Sequence, residues 1–164
     1  MDKLVAELIK LLSELLAGQE KLLKLALARR DAMRTFDIGR LETLTGQERL
    51  AMAEMAELDR RRQLLVGQFR NVLPRGVEPT VTEISRRTAE PAKTRLLALA
   101  GQIREAAEQV ERNTRINATV SETVVKGLAK VLKVVTGLAQ HAGLYMRNGR
   151  KAALHGIHLL EVTA

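Results

Sequence analysis

Residues 96–138 read LLALAGQIREAAEQVERNTRINATVSETVVKGLAKVLKVVTGL, and this stretch decides the fold. A 3-4 spacing runs through it: Leu96, Leu99, Ile103, Ala106, Val110, Asn113, Asn117, Val120, Val124, Gly127, Val131, Val134 and Leu138. Such a seam belongs to a long helix that packs along its length. Two successive seam positions are asparagines. A buried Asn costs stability unless hydrogen-bonded, but it can fix register and partner choice. The pair has three readings: a wet gap in a bundle, a polar contact to another helix, or the junction where the helix leaves the bundle.

The two halves of this helix differ. Up to Val110 it is rich in Ala, Leu, Glu, Arg and Gln, all good helix formers. From Val120 it is rich in Val, Thr and Gly, with weaker propensity. At about 100° per residue, Val120, Val124, Val125, Leu128, Val131, Leu132, Val134, Val135 and Leu138 cover about half of the circumference. Lys126, Lys130 and Lys133 stand opposite. Either the first helix of the chain covers this wide face or a partner does.

Working outward, Pro91 opens the long helix, a residue favoured in a first turn. Before it, Thr80-Val81-Thr82-Glu83 has capping-box spacing and predicts a short helix at about 80–88. Pro74-Arg75-Gly76 and Pro79 make the strongest break in the chain. Residues 38–73 predict a second long helix, with Leu41, Leu44, Ala51, Met55, Leu58, Leu65, Phe69 and Val72 in rhythm and Glu48 and Arg62 interrupting it. Residues 2–35 predict the first helix. Leu4, Leu8, Leu11, Leu15, Leu22 and Leu25 form one stripe, broken at Gly18, and Val5, Ile9, Leu12, Leu16 and Leu23 form another beside it. Between these two helices, residues 36–39 make a turn or a kink, with Asp37 able to cap the second helix.

The predicted fold is therefore all-α: an antiparallel long-helix bundle of three main helices plus a short one over residues 1–140. Residues 141–164, punctuated by Gly143, Gly149 and Gly156, read as a flexible C-terminal tail.

Composition narrows the function. The 164 residues include no Cys and no Trp, which excludes disulfides and thiolate metal sites. No run approaches the roughly 20 apolar residues of a membrane span, and the start of the chain lacks the layout of a signal peptide. A soluble, cytoplasmic protein is expected, without stable membrane insertion. The net charge of +8 invites a nucleic-acid reading, but it is spread thinly. Arg60, Arg61 and Arg62 point in different directions on a helix, and stacking aromatics are missing, so no specific nucleic-acid site is expected. His155 and His158 share a helical spacing without an evident third ligand. No nucleophile elbow or phosphate loop is present, so neither an enzyme nor a cofactor is expected.

The run Glu57-Leu58-Asp59-Arg60-Arg61-Arg62-Gln63-Leu64-Leu65, the Asn113-x-x-x-Asn117 pair and Tyr145-Met146-Arg147-Asn148-Gly149 occur in a characteristic order. Together they resemble the FlgN family of flagellar type III export chaperones over most of residues 4–150. Ala118 stands where that family usually has Gly. The resemblance implies a cytoplasmic chaperone, not an enzyme, that binds C-terminal segments of hook-associated (hook–filament junction) proteins. It would hold them unassembled and deliver them to the export gate. Cargo would meet Asn113, Asn117, Val120, Val124, Leu128, Val131, Val135 and Leu138 by the helix-in-groove mode. Tyr145 and Gly149 would dock the export gate, unless Tyr145 packs back on the bundle. The alternative is a coiled-coil module, a homo-oligomer without cargo, with the asparagines as register pins.

Overall fold

The structure, a computed structural model, describes the backbone of residues 1–142 and the side chains of residues 1–137. The described secondary structure is all helical: α1 (Asp2–Arg34), α2 (Ile38–Val72), the short α3 (Val81–Arg86) and α4 (Ala92–Ala142). The fold is the expected all-α bundle of three long helices and one short one. Contacts divide the described residues into two units, the first ending at Val120 and the second beginning at Ser121.

In the first unit α1 is the central element. It runs antiparallel to α2, as three ion pairs show. Glu14 meets Arg61 at 2.7 Å, Lys21 meets Glu54 at 2.6 Å, and Arg29 meets Glu48 at 2.5 Å. At Gly18 the two helices come close: an ideal Cβ there would lie 2.3 Å from Met55 Sδ. The break in the leucine stripe of α1 is thus the place where the Met55 thioether packs.

One hydrophobic core joins the chain-distant ends. Val5, Leu8, Leu11, Leu12 and Leu15 of α1 cluster with Leu65, Phe69 and Leu73, with Ile84 of α3, and with Leu96 and Leu99 of α4. Phe69, Ile84, Leu96 and Leu99 are its largest fully buried side chains. Each such burial contributes on the order of 1.5–3 kcal/mol, enough to hold the six-residue α3, too short to be stable alone, against the bundle.

The caps follow local chemistry. Asp37 caps α2 by accepting the Arg40 N–H at 3.0 Å, and residues 35–37 form a turn rather than a kink. The α1 end is a Schellman motif: Asp37 N–H donates to Ala32 O and Phe36 N–H to Met33 O, at 3.0 and 3.3 Å. Phe36 occupies the left-handed position, φ +52°, that glycine usually fills. Its ring is exposed and offers little packing in return. Phe36→Gly is expected to raise stability by about 0.5–1 kcal/mol, the relief of left-handed strain less the added chain entropy. Denaturant unfolding reads this directly; a loss of stability would show that the Phe36 ring packs favourably.

At α3 only half of the expected capping box forms. Thr80 Oγ1 accepts the Glu83 N–H at 3.1 Å, but the Glu83 carboxylate turns to Arg86 and Arg87. Charge-assisted bonds to two guanidinium groups outcompete a single backbone N–H. They also hold the Glu83 carboxyl below the usual carboxylate range, chiefly through the bond from Arg87.

Candidate cargo-binding helix

α4 is one continuous helix, but its seam meets two different environments. Leu96 and Leu99 are buried in the core, Ile103 is half-buried against it, and Ala106 is buried further along. The seam then turns polar, at the asparagines.

Both asparagine side chains are engaged with α1. Asn117 is only 5% exposed, and its Nδ2 donates to the Ala26 carbonyl at 2.7 Å. Arg30 donates from Nη2 to Asn113 Oδ1 at 2.6 Å and from Nε to Asn117 Oδ1 at 3.4 Å. The Asn113 amide nitrogen donates to the Gln109 carbonyl at 2.7 Å. No buried side-chain polar atom among the described residues lacks a partner. Of the three readings of the pair, the structure therefore supports a polar contact to another helix, and that helix is α1.

Arg30 was invisible to sequence reasoning as a site residue. A signal for it exists: Leu16, Leu23 and Arg30 are spaced by seven, so α1 has its own polar interruption. Next to it, Arg29 bonds Glu48 of α2 with both Nε and Nη2, and reaches Thr45 Oγ1 at 2.9 Å. The hydrogen bonds it donates to Glu48 raise the Arg29 pKa above its ordinary value. They also explain why Glu48 interrupts the apolar rhythm of α2. Two consecutive arginines thus tie α1 to α2 and to α4. About two turns after Ala26, α1 ends at Arg34.

After the asparagines the character of α4 changes. Val120 and Val124 are half-buried. Val125, Leu128, Val131, Leu132, Val134 and Val135 are each between 55% and 64% exposed. Six large apolar side chains exposed within eleven residues are more than scattered surface hydrophobics explain. The expected set Leu128, Val131 and Val135 belongs to this face, and Val125, Leu132 and Val134 extend it. On the polar side, Lys126 pairs with Glu122 at 2.6 Å. The side chain of Leu138 and all of Tyr145 and Gly149 lie outside the described residues, as do His155 and His158.

Two further concave features are shallow. One groove of about 330 Å³ lies between Glu7, Lys10 and Leu11 of α1 and Arg61, Leu64 and Leu65 of α2. Another of about 270 Å³ lies between Leu16, Glu20 and Leu23 of α1 and Glu105, Ala106 and Gln109 of α4. Arg60, Arg61 and Arg62 are each paired with a carboxylate, Glu57, Glu14 and Asp59 respectively, and form no common cationic patch. Among the described residues no helix is long and apolar enough to cross a membrane, and no group of three metal-ligating side chains comes together.

No curated protein and no solved structure matches the chain. A family model described as FlgN protein matches residues 1–153, which takes in all four helices. The all-α bundle, the seam with its paired asparagines and this match agree: the chain belongs to the FlgN family, whose general role is that of a flagellar export chaperone.

Proposed function

We propose that the chain is a cytoplasmic chaperone that binds the C-terminal segments of hook-associated proteins through the apolar face of α4, keeps them unassembled and hands them to the export gate. The observation that carries this reading is the exposure of Val125, Leu128, Val131, Leu132, Val134 and Val135 on one side of one helix. A helix with an apolar stripe of its own would bury that face by helix-in-groove packing, with Val120, Val124 and Leu138 at its ends. The lysines on the opposite side keep the loaded helix hydrated. Asn113 and Asn117 act at the boundary of the cargo site, because their amides are already bonded to α1 and to α4 itself. Tyr145 and Gly149 follow the cargo helix in sequence and are assigned to docking at the export gate.

Co-purification tests the reading. The C-terminal segment of a hook-associated protein should bind the purified chain at micromolar concentration or tighter. If neither junction protein binds at that concentration, the reading fails. The same exposed face also suits self-association without cargo. Light scattering separates the two: a cargo site predicts that added segment dissolves any oligomer, whereas an oligomer that persists with cargo in excess favours a coiled-coil module.

A further inference from the structure

The Arg30 cluster answers a question raised by the seam. A 3-4 apolar repeat from Leu96 to Leu138 would, in an isolated helix, pair with a copy of itself. Matched asparagine layers favour in-register pairing of that kind. In the folded chain the same two layers are bonded to α1 instead. We infer that Arg30 is a specificity-determining residue: it commits the first half of the α4 seam to α1, and so confines outside partners to the stretch after Val120. The inference deepens the proposed cargo site by setting its upstream limit.

The argument is one of competing partners. A second copy of α4 would offer each asparagine another amide, a neutral hydrogen bond. α1 offers a guanidinium that reaches both Oδ1 atoms, and the Ala26 carbonyl for Asn117 Nδ2. Hydrogen bonds from a charged donor are about twice as strong as neutral ones. Exchanging α1 for a second α4 would therefore give up charge-assisted bonds for neutral ones. After Val120 the seam has no such polar level: the next positions are Val124, Gly127, Val131, Val134 and Leu138. Selection therefore acts on one half of the seam only.

The test uses the chain alone, so that its failure and the failure of the cargo reading are distinguishable. The protein has no cysteine, so a single Val110→Cys substitution reports on seam pairing cleanly. In-register pairing of two α4 helices would bring the two introduced thiols together. With Arg30 in place, oxidation should leave the chain monomeric on a non-reducing gel. Adding Arg30→Met should increase the disulfide-linked dimer at least tenfold, and Arg30→Lys, which keeps a charged donor, should suppress it again. Hydrogen exchange over residues 106–120 runs in parallel. Faster exchange in Arg30→Met without cross-linking would mean that Arg30 merely stabilises the bundle, and would overturn the inference. Equal cross-linking with and without Arg30 would overturn it as well.

Discussion

Replacing Leu128 and Val131 together with aspartate is expected to weaken binding of a hook-associated C-terminal segment at least about 100-fold, with the fold intact. Both side chains are about 60% exposed in the free chain, so their removal forfeits little internal packing. Surface substitutions of this kind usually change stability by less than about 0.5 kcal/mol each, and aspartate is only modestly poorer than valine or leucine in a helix. In the complex the balance is different. Each apolar side chain withdrawn from water against cargo contributes about 1.5–3 kcal/mol. Each aspartate in its place brings a carboxylate that loses hydration without a partner. Together the two changes exceed the roughly 2.7 kcal/mol that a 100-fold loss requires. Titration calorimetry gives the affinity and thermal unfolding the control. Retained affinity with an unchanged melting temperature would move the cargo site away from this face.

The double substitution Asn113→Leu, Asn117→Leu is expected to do the reverse to stability. Asn117 is buried and Asn113 half-buried, so two leucines would extend the apolar contact between α1 and α4. The Ala26 carbonyl loses one donor but lies within α1, where the helix supplies another. Arg30 loses both acceptors, yet it is not fully buried and can turn toward water. Replacing an internal polar cluster by apolar groups is often stabilising by about 1–4 kcal/mol, and about 1–2 kcal/mol is expected here. For a chain of this length that is a rise of several degrees in melting temperature. Cargo affinity should fall about tenfold, because without the polar levels that fix register cargo can dock in competing registers. A more stable variant with unaltered affinity would show that the boundary has no part in cargo binding.

Much of the bundle was legible because local chemistry and long-range packing agree. The helix limits around Pro74, the Asp37 and Thr80 caps and the apolar stripes of α1 all follow from spacing and turn residues. Four features were not. The left-handed Phe36 lacks the glycine that marks such a position. Glu83 had two kinds of donor in reach, and spacing alone does not say that Arg86 and Arg87 win over the backbone of Thr80. Coverage of the Val-rich half was left open, since a wide apolar arc on α1 could match it in composition. That outcome depends on helix register. Within the first unit Ala26 stands level with Asn117, and α1 ends about two turns after Ala26. Arg30 was missed for a related reason: its role emerges only when the interruption in one seam is set beside that in the other.

Hydrogen–deuterium exchange of the chain with and without a bound hook-associated C-terminal segment tests the central claim most directly. Cargo should slow exchange across residues 121–137 and leave residues 96–110, already packed on α1, unchanged. Protection confined to the α1–α2 groove at Leu11 and Leu65, or to the α1–α4 groove at Leu16 and Ala106, with none after Val120, would contradict the account.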